Sequence, residues 1–232
     1  LVFCDGFEID FADNSAGLWT SAINTSGNLQ YVNTRSRTGG GSLRVITSTG
    51  GRASLSRSTP SLVQLYIGFG LYIDSGTALA ATASSNNTVG ILQLVSITGI
   101  NQVALGIDAT TQKLRFLRGS TGGTTLGNGI NGLDTDRWHY IEMYVLISDT
   151  VGVVQVRANG TMEIDLSSVD TNNAGGGDVA TVRLGVTVNN VSNGSRADLY
   201  FDDFILLDTS GSVGNAWPGG AGILMLVPDG DG

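Results

Sequence analysis

Two places in the sequence set carboxylates at alternate positions, the spacing that puts side chains on one face of a strand. They are Glu8-Ile9-Asp10-Phe11-Ala12-Asp13 and Glu163-Ile164-Asp165. Retaining glycoside hydrolysis needs two carboxyl groups about 5–5.5 Å apart, one as nucleophile and one as acid/base. After Asp165 the chain continues Leu166-Ser167-Ser168, so a Glu-x-Asp-x-x-Glu triplet lacks its last member. The first run ends in Asp13, but it opens the chain instead of lying mid-sheet. Both sets read as solvent-facing carboxylates. His139 is the only histidine, no Gly-x-Ser-x-Gly elbow accompanies it, and it reads as structural. Glycine strings such as GSTGGTTLG (119–127) lack a following Gly-Lys-Ser/Thr and a helix, so they read as turns and not phosphate loops. No catalytic residue is assigned, and the chain is expected not to be an enzyme.

Charge and composition narrow the alternatives. Twenty acidic residues against twelve basic ones give a net charge of −8, which argues against nucleic acid as a partner. Cys4 is the only cysteine, so no intrachain disulfide forms, and with one histidine no Cys/His zinc site is available. No stretch reaches the ~20 apolar residues of a membrane helix. The chain starts at Leu1 and stops at PDGDG (228–232), as expected for the ordered part of a longer polypeptide.

The elements that must carry these residues are strands. The 34 glycines, about twice the usual share of ~7%, cluster between short apolar runs. Period-two alternation is clearest over 64–74, where Leu65, Ile67, Phe69, Leu71 and Ile73 share one face and Tyr66 and Tyr72 the other. The run 138–147 places Ile141, Met143, Val145 and Ile147 opposite Tyr140, Glu142 and Tyr144. Asn159-Gly160 sits between two apolar runs and predicts a tight hairpin, since both positions tolerate positive φ. Further strands are expected over 197–208 and, more weakly, over 42–47, 90–97, 102–108 and 113–119. About a dozen strands without helical interludes predict a sandwich or barrel.

The order of these signals resembles a known superfamily. DGFE (5–8) with Trp19, GGGSLRV (39–45), RWHYIEMYV (137–145), VVQVRANG (153–160) and YFDDFILLD (200–208) are similar to successive strands of concanavalin A-like and laminin G-like jelly-roll domains. The resemblance implies an all-β, two-sheet antiparallel jelly-roll sandwich over 1–208, followed by an extended arm over 209–232. DTSGSVGNAWPGGAGILMLVPDGDG (208–232) is similar to the segment that follows such domains in tailed-bacteriophage virion proteins. That implies a capsid-decoration or tail-surface protein, located on the virion. Its partners would be other virion proteins and further copies of itself, held through an arm carrying Trp217, Ile223, Leu224, Met225, Leu226 and Val227.

Two binding sites follow from the same resemblance. Jelly-rolls that begin Gly-Phe-Glu and end Asp-Asp share a structural calcium between their first and last strands. The matching residues are Glu8 and, of the pair Asp202-Asp203, Asp203, because strand alternation allows only one of the two to face inward. A glycan, such as one on a cell surface, would stack on an aromatic platform made by Tyr66, Tyr72, Tyr140, Glu142 and Tyr144 if their two strands adjoin. Core or interface packing is the competing reading of these aromatics. A stand-alone carbohydrate-binding domain and, more remotely, a glycanase are the alternatives to the virion reading.

Overall fold

The computed structural model describes residues 1–8, 18–77, 87–189, 196–209, 216–220 and 222–223. Among these, every regular element is a β-strand. In chain order they are β1 (Phe3–Asp5), β2 (Ser21–Val32), β3 (Ser42–Leu62), β4 (Gln64–Ile73), β5 (Thr88–Val95), β6 (Asn101–Asp108) and β7 (Lys113–Arg118). Then come β8 (Thr124–Gly132), β9 (Trp138–Leu146), β10 (Gly152–Ala158), β11 (Thr161–Val169), β12 (Val179–Asn189) and β13 (Arg196–Asp208).

All thirteen strands join one antiparallel sheet in the order β11-β10-β9-β4-β13-β3-β12-β5-β6-β7-β8, with β1 on β13 and β2 on β3. The expected division into two separate sheets is therefore wrong; the architecture is a nearly closed, barrel-like sheet. The reason lies in β3. Its first part, Leu43–Ser48, pairs with β13, and its second part, Ala53–Leu62, pairs with β12. A strand that served one sheet only would have ended between them. β3 instead turns a corner at Gly50-Gly51, where Gly50 has φ 71°. A side chain on Gly51 would overlap the Ser26 carbonyl of β2. β2 bends in step through a bulge between Thr25 and Gly27, with Ser26 at φ 57°.

The two ends of the sheet meet where β8 faces β11. Glu163 of β11 is buried, against the expectation that it faces solvent. Its carboxylate accepts the backbone N–H groups of Ile130 (2.8 Å) and Asn131 (2.7 Å) and the Asn131 side-chain amide (2.9 Å). Asp165, two residues on, is exposed as expected.

Alternation decides which face is core. Leu65, Ile67, Phe69 and Leu71 of β4 are fully buried inside, as are Ile141 and Val145 of β9 and Val182, Leu184 and Val186 of β12. At one end Trp19 lies 5.0 Å from Phe3, 5.4 Å from Phe204 and 6.0 Å from Phe7. Its indole N–H donates to Asp5 (2.6 Å), a carboxylate whose burial raises its pKa although this bond and the Phe7 amide oppose the rise. The Asn159-Gly160 hairpin joins β10 to β11, with φ 53° and 79°. His139 packs behind it. Its Nε2–H donates to the Asp134 carbonyl (2.9 Å) and its Nδ1 accepts from Asn159 (3.2 Å), a neutral tautomer that burial favours by lowering the pKa.

Replacing Glu163 by Ala leaves two backbone N–H groups of β8 without their partner. This should cost about 2–4 kcal/mol. Urea unfolding measures the loss, and hydrogen exchange should show it first at the amides of 130 and 131.

Candidate functional site

The outward face of β4, β9 and β13 carries the expected aromatic platform, but the residues divide into separate groups. Tyr66 and Tyr144 lie 4.7 Å apart, and the Tyr144 hydroxyl bonds Gln64 (3.3 Å). Tyr72 instead packs at 5.6 Å on both Trp138 and Tyr200, with the Arg35 guanidinium 4.2 Å above Tyr72 and 4.6 Å above Tyr200. Between the two groups, Tyr140 and Glu142 lie beneath the chain's own C-terminal arm. Gly219 N–H donates to Glu142 (2.8 Å), and Arg37 both covers the Tyr140 ring (4.4 Å) and donates to the Gly220 carbonyl (3.2 Å). Burial, with the Glu142 charge second, pushes the Tyr140 phenol well above its ordinary range. Trp217 packs on Tyr66 (5.6 Å) under the Arg157 guanidinium (3.8 Å). Of the expected assembly residues, Trp217 and Ile223 therefore rest on their own sheet, while Leu224, Met225, Leu226 and Val227 lie outside the described residues.

The carboxylates assigned to calcium form a knot at the edge of this face. Strand alternation would send only one of Asp202 and Asp203 inward, yet both are fully buried. A bulge between Asp202 and Ile205, with Asp203 at φ 49°, breaks the alternation and turns both carboxylates toward the 36–41 loop. Asp203 takes Arg37 (2.6 Å), the Thr38 hydroxyl (2.5 Å) and Ile223 N–H (2.6 Å). Asp202 takes the amides of Arg37 (2.6 Å), Thr38 (3.2 Å) and Asp203 (2.7 Å). Glu8 approaches the same loop from the other side, accepting Gly40 N–H through Oε2 (2.7 Å). Its Oε1 is buried with no hydrogen-bond partner. No group of three or more His, Cys, Asp or Glu side chains placed to hold a metal occurs among the described residues.

A different kind of site occupies the outward face of the other half of the sheet. It is a cleft of about 200 Å³ lined by Arg52 of β3, Arg183 and Val188 of β12, Gln93 of β5, Asn101 of β6 and the 120–122 turn between β7 and β8. The ladder builds it: Arg183 stands opposite Gln93 on one side and Ser56 on the other. Gly90 lets the turn close down, since a side chain there would overlap Thr121 and Thr187.

The polar groups of this cleft are unusual for a chain of net charge −8. Seven arginines (35, 37, 44, 115, 118, 137 and 196) pair with a carboxylate. Among the described residues Arg52, Arg57, Arg157 and Arg183 do not; Arg57 bonds the Leu18 carbonyl and Arg157 covers the Trp217 ring, whereas Arg52 and Arg183 line the same cleft. Arg183 is half-buried, and burial together with the charge of Arg52 lowers its pKa. Its Nη1 donates to Gln93 Oε1 (3.1 Å) and, at 3.5 Å, to Asn101 Oδ1. Arg183 Nε and Gln93 Nε2 are buried with no hydrogen-bond partner, and Gln93 is only 3% exposed. Buried donors without a partner are uncommon in folded proteins, and Arg57 Nε and Gln102 Nε2 are two more in this one. None of these residues was singled out in the sequence, because Arg52, Gln93, Asn101 and Arg183 belong to four different strands and share no motif.

No family model matches the chain, and no curated protein matches it in sequence. Solved structures do match in fold. An endo-β-1,4-glucuronan lyase from the fungus Trichoderma reesei superposes with a TM-score of 0.63 at 12% identity, over 82% of this chain and 91% of that one. The cellulose induced protein Cip1 gives 0.62 at 15% identity, over 88% and 96%. The alginate lyase vAL-1 from Chlorella virus gives 0.56 at 13%, over 85% and 96%. The expectation that the chain is not an enzyme is corrected by these likenesses. It rested on missing hydrolase patterns, whereas this fold carries lyases, a different reaction class. At the level of the fold the concanavalin A-like resemblance agrees with these structures; a link to phage proteins is not shown by them. The chain thus shares the all-β fold of glycan-active proteins.

One consequence concerns pH. Burial and the neighbouring Asp203 raise the Asp202 pKa to about 7. A raised pKa means the folded state holds the proton more tightly. The resulting stabilisation is full below the ordinary carboxylate pKa near 4 and is lost as pH rises through about 7. In EDTA-treated protein, the stability of wild type relative to Asp202→Asn should fall between pH 4 and 7, by on the order of a few kcal/mol, and level off above pH 8. Denaturant midpoints of the two proteins across that range measure it.

Proposed function

We infer that this domain recognises a polysaccharide, and that it does so in the Arg52–Gln93–Arg183 cleft. The observation that carries this is a polar cleft lined by two arginines, Arg52 and Arg183, with no carboxylate among its described lining residues. At about 200 Å³ the cleft is smaller than the roughly 300–1,000 Å³ of sites that enclose a whole drug-sized ligand. It suits one sugar unit of a longer chain lying along the sheet. The glucuronan and alginate lyases that share the fold support the same reading.

Cleavage is the second reading, favoured by the glucuronan and alginate lyases among those structures. Two guanidiniums and an amide are the groups that would draw charge from a substrate carboxylate while the adjacent carbon loses its proton. Among the described residues the lining contains no histidine, tyrosine or lysine to take that proton.

A panel of soluble polysaccharides, read by affinity electrophoresis and calorimetry, tests both readings. Asn101→Trp, which fills the cleft, should abolish binding, while Trp217→Ala on the opposite half of the sheet should leave it unchanged. The reverse pattern would move the site to the Tyr66–Tyr144 face. Growth of ultraviolet absorbance from an unsaturated sugar product would establish cleavage.

Calcium and a place on a virion are separate proposals. The buried, unpartnered Glu8 Oε1 supports a cation at the 36–41 loop, whereas Asp203 is already bonded to Arg37, Thr38 and Ile223. If calcium binds there, millimolar Ca2+ should raise the melting midpoint of EDTA-treated protein, and Glu8→Gln should remove the rise. The virion reading rests on the sequence of 208–232, and cosedimentation with purified particles is its test.

A further inference from the structure

We propose that the cleft is built for the carboxylate of an acidic sugar, so that its ligand is a hexuronate unit of a polyanionic polysaccharide anchored on Arg183. This rests on the polysaccharide reading of the same cleft and adds the chemical class of the ligand.

The orientation of the amides comes first. Arg183 can only donate, so the side chains it bonds must turn their oxygens toward it. Gln93 Oε1 is committed in this way, and Asn101 Oδ1 more loosely. The Gln93 amide nitrogen is left as a buried donor without a partner, as is Arg183 Nε. A neutral sugar offers hydroxyls, each of which donates as well as accepts, and it is best met by a mixture of both kinds of group. Here the Gln93 and Asn101 acceptors hold Arg183, and the lining adds two guanidiniums, which only donate, to the Ser120 and Thr121 hydroxyls, which do both.

Charge leads to the same class. A half-buried guanidinium with no carboxylate partner is costly, and removing one partner of a buried pair is strongly destabilising. This chain has twenty acidic residues, and it pairs seven arginines with them, yet leaves Arg52 and Arg183 together without one. A bound anion supplies the missing charge to both. Of the common oxyanions of polysaccharides, the carboxylate is planar with two acceptor oxygens. It can take two hydrogen bonds from one guanidinium, in the two-bond arrangement that arginine favours. Sulfate shares the charge but presents a tetrahedron of oxygens, so the two are separated by experiment.

The probes are polygalacturonate and alginate, their carboxyl-reduced forms, dextran sulfate and a neutral xylan, titrated into the full chain. Polygalacturonate or alginate should bind, and carboxyl reduction should weaken binding at least tenfold. Arg183→Gln should weaken polyuronate binding at least tenfold, with Arg183→Lys intermediate because it keeps the charge but loses the fork. Arg52→Gln, at an exposed rim position, serves as a second variant that does not endanger folding, and should lower affinity and its salt dependence. Equal binding of native and carboxyl-reduced polymers, still abolished by Asn101→Trp, would overturn the carboxylate and leave the polysaccharide site standing. Dextran sulfate bound as tightly as polyuronate would replace the carboxylate by a general oxyanion. Polyuronate binding unchanged in both arginine variants, or no binding of any polymer, would overturn both readings.

Discussion

The constraint on which the structure depends is the continuity of β3 through its glycine corner. One strand of 21 residues hydrogen-bonds to β13 before the bend and to β12 after it, so both halves of the sheet take their register from the same backbone. Arg52 is the second residue past Gly50, and its place over the cleft is set by that turn. Through β12 the same register puts Arg183 opposite Gln93, and through β5 it reaches β6 and Asn101. A one-residue slip in a sheet sends every side chain to the other face. The donors of the cleft and the apolar core beneath them are thus fixed together.

The two outward faces handle buried charge in opposite ways. Around β4, β9 and β13 the acids are paired or hydrogen-bonded throughout: Asp198 by Arg44 and Arg196, Asp203 by Arg37 and Thr38, Glu142 by the arm. Arginines there also lie over aromatic rings, as Arg35 does over Tyr72 and Tyr200. That face is closed by its own residues. Past the β3 corner and across β12, Arg52, Arg57 and Arg183 have no acid among the described residues, and Arg183 is held instead by the Gln93 amide oxygen. A closed polar network stabilises its own fold, whereas buried donors left without a partner cost it stability.

The C-terminal arm changes what the aromatic face can do. Trp217 occupies the stacking position on Tyr66, and the backbone of Gly219 and Gly220 takes the hydrogen-bonding capacity of Glu142 and Arg37. The period-two spacing put Tyr66 with Tyr72 on one strand face and Tyr140 with Tyr144 on another, and the sheet sets the two strands side by side, with Tyr66 opposite Tyr144. It could not indicate that a segment more than seventy residues downstream of Tyr144 would lie across part of them.

By itself the sequence determined the strands and their faces, because a strand's two-residue period writes the core into the order of residues. Leu65 to Leu71 and Ile141 to Val145 are buried as that period requires, and Asn159-Gly160 turns where both residues can take positive φ. The tertiary structure alone decided three things. Gly50-Gly51 carries one strand around a corner where the sequence suggested separate sheets, since a glycine pair is equally consistent with a bend and a break. The bulge at Asp203 buries two acids where alternation allows one, because a single left-handed residue cancels the period locally. The cleft gathers Arg52, Gln93, Asn101 and Arg183 from four strands, and side chains that meet only through long-range pairing leave no spacing to read.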